Sequence, residues 1–223
     1  MRDNGDVRRA TQDTPPPPGG LNVNPQSPRT WGLWFGWLTP SGWSFEKAPT
    51  PATIIPHLAV FDSGMVAIVS TRLIPPDPPQ QTEAQQALYL TYRSPDDQWE
   101  NSGELLRSSP DPSFTAAVGA PDGVLYVLYG YNGHLFCANA QTGATVWEDA
   151  TNRGNSAALV DVGPVMLALT VNSELAVFKP SDKEYSELAK FKVADTETWA
   201  HPVADGNRVF VRDRESVALW TIE

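Results

Sequence analysis

The sequence predicts an all-β protein with one folded domain. From about residue 31 it consists of short alternating runs rich in Val, Leu, Tyr and Trp, separated by Gly, Pro, Asp and Ser. Such runs are typical of β-strands joined by turns. They recur in four-stranded units of roughly 40 to 45 residues, a repeat length that is typical of β-propellers. We therefore predict a β-propeller-like domain over residues 31–223, with about four to five blades.

Four units share one order of features. Each has a short apolar strand, a tight turn marked by an Asp and a longer apolar strand, and a third strand follows. A fourth strand is predicted around Trp99, Trp147 and Leu188, but not in the last unit. The first unit is lengthened by an insertion at 74–86, which we interpret as an exposed loop. The turns are marked by Asp62, Asp122, Asp161 and Asp205, and the third strands lie at 87–92, 134–139, 174–179 and 216–222.

The number of blades depends on a predicted hairpin at 30–45, which contains a strand, a Thr-Pro-Ser-Gly turn and a second strand. The hairpin could supply the missing outer strand of the last blade and so close a ring of four. It could also form an incomplete blade of its own, which gives five. A third alternative is an open arc that a partner or a second copy completes, because unpaired sheet edges favour association.

Residues 1–30 are predicted to form a disordered, proline-rich arm. They contain Thr-Pro-Pro-Pro-Pro-Gly-Gly and Asn-Pro-Gln-Ser-Pro, and they have too few apolar residues to offset the entropy lost on ordering. A proline-rich segment can also bind a partner protein as a polyproline helix. Pro15, Pro16, Pro17 and Pro18 are therefore candidate partner-binding residues.

Charge and composition argue against several classes of protein. The 16 Lys and Arg against 26 Asp and Glu give a net charge of −10. This balance argues against nucleic-acid binding, because phosphates require clustered cations. The sequence has no secretory h-region and no run approaching about 18 apolar residues. A cytoplasmic location is the default prediction, and a leader removed by processing would make it periplasmic or extracellular, so the compartment stays open.

The segment GHLFCANAQTGATVW, residues 133–147, resembles the repeat of the pyrroloquinoline-quinone (PQQ)-like propellers. That family includes quinoprotein dehydrogenases and the lipoprotein of the outer-membrane barrel assembly machinery. Its repeat reads Ala-x-Asp-x-x-Thr-Gly-x-x-x-Trp, and Cys137 stands here at the Ala position. The resemblance implies a turn between the last two strands of a blade and a Trp that docks between blades. The residues predicted to form this structural corner, rather than a cofactor site, are Asn139, Thr142, Gly143 and Trp147.

The resemblance does not extend to the chemistry of a quinoprotein. An active quinoprotein is expected to have a vicinal cysteine pair and calcium ligands on a full ring, whereas Cys137 is the single cysteine here. His57, His134 and His201 are dispersed and lack the local spacing of a zinc site. No nucleophile elbow, Walker loop or dinucleotide fingerprint occurs. We therefore predict no cofactor, no metal and no catalytic residue, and we keep a quinone-dependent oxidoreductase as the third functional hypothesis.

A second resemblance concerns Ser-Pro-Asp-Asp-Gln-Trp at 94–99, which is similar to the Asp-box of sialidase propellers, Ser-x-Asp-x-Gly-x-x-Trp. The segment lacks the Gly and is shorter than the motif. An Asp-box is itself a folding motif. The resemblance therefore implies only an alternative function, that of a carbohydrate-binding module or a degenerate glycosidase-type propeller with a glycan as its ligand.

Aromatic residues are concentrated at the start of the domain. If 31–38 is a strand, Trp31, Phe35 and Trp37 share one face, and Trp34 lies on the other. The strand could be buried at a blade seam, or its rings could form an exposed patch that grips a protein or stacks on a sugar. The candidate partner-binding tryptophans are Trp31, Trp34, Trp37 and Trp43.

Together these observations predict a non-catalytic binding or scaffold propeller that acts as an accessory subunit of a protein assembly. A short chain with few blades needs a neighbour to cover its edges. The predicted contact elements are the arm, the Trp-rich hairpin and the loop at 74–86.

Overall fold

The computed structural model describes residues 8–11, 33–49, 54–74, 85–108, 115–119, 123–129 and 133–221. Within these ranges the chain forms strands, turns and loops and contains no helix. The described residues therefore include no helix that could span a membrane. Trp31, the proline run at 15–18 and most of the predicted loop at 74–86 lie outside the described residues.

The described strands form five antiparallel sheets, each built from strands that follow one another along the chain. Connecting sequential strands by hairpins is the simplest antiparallel topology. Sheet I comprises β1 (Arg8–Thr11), β2 (Trp34–Thr39) and β3 (Gly42–Lys47), and sheet II comprises β4 (Ile54–Val60), β5 (Val66–Ile74), β6 (Gln85–Arg93) and β7 (Trp99–Ser108). Sheet III comprises β8 (Thr115–Gly119), β9 (Val124–Tyr129), β10 (His134–Asn139) and β11 (Thr145–Asp149), and sheet IV comprises β12 (Ala157–Asp161), β13 (Met166–Thr170), β14 (Glu174–Lys179) and β15 (Ser186–Lys192). Sheet V comprises β16 (Val203–Asp205), β17 (Arg208–Arg212) and β18 (Val217–Thr221).

The first strands of successive sheets lie side by side. Strand β1 contacts β4, β4 contacts β8, and β8 contacts β12. In sheets I to IV the first strand is therefore the one that adjoins the first strand of a neighbouring sheet, as the innermost strands of propeller blades do. This is the architecture of a β-propeller, in which each sheet is one blade, and it confirms the predicted fold class.

Sheet III shows why the central strands are apolar on both faces. Along β9, Leu125 and Val127 pack against sheet II, whereas Val124 and Tyr126 pack against sheet IV. Successive side chains of a strand point to opposite faces, so a sheet between two others must bury both. Corresponding hydrophobic clusters join sheet I to sheet II and sheet IV to sheet V.

The Trp-rich hairpin forms β2 and β3 and pairs with β1, so it is a blade of its own and not the outer strand of the last blade. Leu33 and Phe35 pack against Val66 and Ile68 of sheet II, and this apolar contact stabilises the hairpin at the start of the row of sheets. Strand β1 lies within the predicted arm, whose other residues lie outside the described ranges. Within the described ranges there are five sheets, as in the five-blade alternative.

Candidate partner-binding surface

The predicted blade corner forms the turn between β10 and β11. The Asn139 Oδ1 atom accepts hydrogen bonds from the backbone N–H groups of Gln141 (3.0 Å) and Thr142 (2.8 Å), and from the Thr142 hydroxyl (3.1 Å). The Gly143 N–H donates to the Asn139 carbonyl (2.9 Å), and Gly143 has a φ of 72°, in the left-handed region that favours glycine. The polar groups of this corner bond to one another, as in a structural turn.

Trp147 leaves this corner along β11 and reaches the neighbouring sheet. Its ring contacts Tyr126 and Tyr185, with ring centres 5.8 Å and 6.0 Å away. Its Nε1 donates to the carbonyl of Ser181, between β14 and β15, at 2.8 Å. The Tyr126 hydroxyl accepts from the Ser181 N–H at 2.7 Å. The indole is thus packed and hydrogen-bonded at the seam between sheets III and IV.

The Asp-box-like segment forms the corresponding turn in sheet II, between β6 and β7. The Ser94 N–H donates to the Gln98 carbonyl (2.8 Å), and the Ser94 hydroxyl accepts from the Gln98 N–H (3.2 Å). Trp99 Nε1 donates to Glu46 Oε1 at 2.8 Å. The ring of Trp99 therefore docks on sheet I, whereas Trp147 docks on sheet IV. Each of these two turns is thus followed by a tryptophan that packs at the seam with a neighbouring sheet.

Within the hairpin, Trp37 lies on the side that packs against sheet II. The Arg93 guanidinium lies 5.2 Å from the Trp37 ring centre and 5.5 Å from the Phe35 ring centre, distances at which a cation is attracted to an aromatic face. Arg93 Nε also donates to Glu46 Oε1 at 2.5 Å. Trp34 is half-buried on the opposite side of β2. Trp37 therefore belongs to the seam between sheets I and II.

Trp43 is more exposed than the other two described tryptophans of the hairpin. It is 46% exposed and stacks on Phe45, with ring centres 6.0 Å apart. The Phe45 ring lies across Gly36, where a Cβ would come within 2.7 Å of that ring, so this close approach requires a glycine. Trp34, Trp43 and Phe45 share the side of sheet I turned away from sheet II, which we call the open face of sheet I.

The last sheet has a second exposed apolar face, which the sequence did not single out. It is the side of sheet V turned away from sheet IV, and we call it the open face of sheet V. Val209, on the other side of β17, is 1% exposed and packs against sheet IV. The apolar members of the open face are between 36% and 66% exposed and lie in register across three strands: Val203, Phe210, Val217 and Leu219.

One end of the open face of sheet V adjoins a pocket of about 320 Å³, formed by the loop before β16 and the turn after β17. Trp199, which is 52% exposed, lines the pocket together with Arg212. The Arg214 guanidinium donates to Glu197 Oε2 at 2.6 Å, so its charge is compensated. Arg212 forms no side-chain hydrogen bond or ion pair within the described part of the chain. Arg212 is therefore the cation of this pocket that is available to a ligand.

The carboxylate of Asp213, between the two arginines in sequence, is held by its own turn. Asp213 Oδ1 accepts from the N–H groups of Glu215 (2.9 Å) and Ser216 (2.6 Å). These hydrogen bonds lower the pKa of Asp213 to about 2, because they stabilise the ionised form. Asp213 is thus charged at neutral pH, and its Oδ1 atom is engaged in the β17–β18 turn.

The described residues contain no group of three or more His, Cys, Asp or Glu side chains that could hold a metal ion. Cys137 is buried at the seam between sheets III and IV. His134 lies 3.2 Å from Glu148 Oε1. Burial of the ring and the charge of nearby His201 lower the pKa of His57 to about 4. His57 is therefore neutral at pH 7.

Comparison with known proteins identifies a fold and no sequence family. No protein-family model matches the chain, and no curated protein matches its sequence. Among solved structures, the computationally designed Ika4 protein is 12% identical with a TM-score of 0.53, over 79% of this chain and 96% of that one. The designed Ika8 protein is 10% identical with a TM-score of 0.55, over 88% and 57% of the two chains.

BamB from Moraxella catarrhalis is 11% identical with a TM-score of 0.52, over 96% of this chain and 61% of that chain. The chain thus spans about three fifths of the length of BamB and of Ika8. At these identities the likeness concerns the fold alone. Together with the five successive sheets, it shows that the chain has the fold of a β-propeller.

Proposed function

We propose that the protein is a non-catalytic binding subunit of a protein assembly and that it engages its partner through the open faces of its two end sheets. The observation that carries this proposal is the open face of sheet V, where four apolar side chains lie exposed in register. Contiguous exposed apolar surface on a folded protein is typical of interaction sites.

The two end sheets differ from the three between them. Sheets II, III and IV contribute apolar side chains to a hydrophobic cluster on each side, whereas sheets I and V each contribute to one described cluster. Of the large hydrophobic residues that are exposed in the described ranges, Trp43 and Phe45 lie on the open face of sheet I. A partner that covers either open face would remove this apolar area from water, which stabilises the complex.

The edges of the end sheets support the same proposal. Sheets II to IV have four strands, and in sheet V the outermost described strand is β18, the third. An exposed edge strand presents backbone N–H and C=O groups that can pair with another chain. Sheet V therefore offers a partner both an apolar face and a strand edge.

The proposal is tested by gently purifying the tagged full-length protein from its own cell and measuring the mass and composition of the complex. We expect a stoichiometric protein partner, and we expect Phe210→Asp to release it because a carboxylate replaces the apolar side chain that the partner would cover. Leu188→Asp is the matched control, since Leu188 is 57% exposed on β15 of sheet IV. A lone monomer, or equal loss with both variants, would contradict the proposal.

A carbohydrate-binding module is the second candidate function, and the stacked pair of Trp43 and Phe45 favours it. An exposed indole offers a broad apolar surface on which a sugar ring can stack. This candidate predicts binding to a glycan array that Trp43→Ala removes while the melting temperature is unchanged. Glycan binding that survives Trp43→Ala would exclude this surface as the sugar site.

A further inference from the structure

Strand β17 displays a regular pattern on the open face of sheet V. Arg208, Phe210 and Arg212 alternate with buried valines, so the open face reads cation, apolar residue, cation at every second position. Alternate residues of a strand point to the same side. An extended segment lying along this sheet would have the same two-residue repeat. Side chains at alternate positions of such a segment could therefore meet Arg208, Phe210 and Arg212.

The two arginines differ in their freedom to bind a ligand. Arg208 lies 3.3 Å from Asp205 Oδ2 in an exposed ion pair, which contributes little because water screens it. Arg212 has no ion-pair partner within the described residues and lines the pocket beside Trp199. A guanidinium binds a carboxylate with two parallel hydrogen bonds. Of the two carboxylates that also line the pocket, Glu197 pairs with Arg214 and Asp213 Oδ1 accepts hydrogen bonds from its own turn, so Arg212 can pair with a carboxylate of a ligand.

We propose that the open face of sheet V binds an extended peptide segment of the pattern acidic–x–apolar–x–acidic, with one carboxylate entering the pocket to pair with Arg212. This acidic-segment inference rests on the proposed role as a binding subunit, and it adds the chemistry of the partner. The apolar residue of the segment meets Phe210 and Leu219, and the second acidic residue lies at the level of Arg208, which is paired across the sheet with Thr221.

The remaining residues of the face favour a peptide over an acidic sugar. Val203, Phe210 and Leu219 form a row without hydrogen-bonding side-chain groups, whereas a sugar would need partners for its hydroxyl groups. An extended peptide can place an apolar side chain over this row.

The open face of sheet I is poorly matched to this surface as an occupant. Among its described residues, Trp34, Trp43 and Phe45 are aromatic and Lys47 is cationic, and none is a carboxylate. Packing sheet I of a second copy against sheet V would therefore leave Arg212 without a described counter-charge. The complementary partner is an acidic segment of another protein.

The test uses full-length protein and a fluorescently labelled peptide, Thr-Glu-Thr-Leu-Thr-Glu-Thr, with binding followed by fluorescence anisotropy. We expect saturable binding that Arg212→Gln weakens by about tenfold, because a charge-assisted hydrogen-bonded pair is lost. Arg208→Gln should weaken it less, because Asp205 already lies beside Arg208. Lys190→Gln, an equal change of charge on β15, should leave the affinity within about twofold.

A second peptide with Gln in place of both Glu residues completes a double-mutant cycle. It should bind more weakly to the unaltered protein, and Arg212→Gln should then cause little further loss, because the interacting pair is already broken. Equal affinity for the two peptides, absence of saturable binding, or equal binding to Arg212→Gln would overturn the proposal. So would displacement by polygalacturonate oligosaccharides that bind more tightly than the peptide and depend on Arg212.

The proposed function and this inference fail in different ways. If the native complex forms equally with the unaltered protein and with Arg212→Gln, the subunit role stands and the acidic-segment inference is wrong. If no native complex forms but the peptide binds in an Arg212-dependent way, the surface chemistry stands and the subunit role is wrong. The melting temperature of Arg212→Gln serves as the folding control.

Discussion

The seam between sheets III and IV and the open face of sheet V use similar residues in different surroundings. At the seam, Tyr126 and Phe178 are fully buried, their ring centres are 5.9 Å apart, and Trp147 binds the backbone of the next sheet. On the open face, Phe210 is 36% exposed. The difference lies in the presence of a following sheet and not in the hydrophobicity of the strand.

This comparison teaches that an apolar strand face in a propeller is only half of a contact. The free energy gained at the seam comes from removing both faces from water. Sheet V has a face of the same chemistry whose apolar side chains no described sheet covers. A partner that covers this face would remove its apolar side chains from water and would stabilise the complex in the same way. In the isolated protein these side chains stay exposed.

The largest expected effect is a difference in stability loss between truncating a ring at the seam and truncating a ring on the open face of sheet V. Phe178→Ala should lower the free energy of unfolding by about 3 to 5 kcal/mol, because it leaves a cavity in the seam. Phe210→Ala should change it by less than about 1 kcal/mol, because the ring is already partly in water. Urea unfolding with a common m-value measures both. Similar losses for the two variants would mean that the open face is covered in the isolated protein.

The next effect concerns pH and the propeller interior. The folded ring of His57 has a pKa of about 4, and the unfolded ring titrates near pH 6.5. Between these values the unfolded state binds more protons, so stability is complete above about pH 6.5 and falls as the pH decreases toward 4. The loss at pH 4 should be up to about 3 kcal/mol.

His57→Gln should remove most of this dependence, whereas His134→Gln, which alters a histidine beside Glu148, should retain it. Denaturant unfolding at a series of pH values measures the slope. A profile for His57→Gln that overlaps that of the unaltered protein would show that other groups control acid stability.

A smaller effect tests the corner that brings Trp147 to the seam. Gly143 has a φ of 72°, and a side chain in this region costs about 1 kcal/mol. Gly143→Ala should therefore lower the free energy of unfolding by about this amount, and Ala144→Gly, next to it in the same turn, serves as a control. No loss for Gly143→Ala would indicate that the turn adopts another conformation.

Much of the fold could be predicted from the sequence because the relevant signals are local. Alternation of apolar residues marks strands such as β9, and Thr142 and Gly143 mark a turn that depends on its own hydrogen bonds. The fourth strands predicted around Trp99, Trp147 and Leu188 are β7, β11 and β15. Each of these features needs only a few neighbouring residues.

The candidate surface could not be predicted in the same way, because it depends on what lies beside a strand. Phe210 alternates with Val209 just as Leu125 alternates with Tyr126, and the sequence does not show which face lacks a neighbour. The pocket joins residues 197–200 to 212–214 across a loop, so no local motif contains it. Among the predicted tryptophans, the structure separates Trp37 at a seam from the more exposed Trp43 for the same reason.

The central claim is that the open face of sheet V is covered by a partner, whereas the seam between sheets III and IV is complete in the isolated chain. The most direct measurement is amide hydrogen exchange of the protein alone and in its native complex. We predict slower exchange in the complex for β17 and β18, and unchanged exchange for β9 and β10. Equal exchange of β17 and β18 in the two samples would contradict the account.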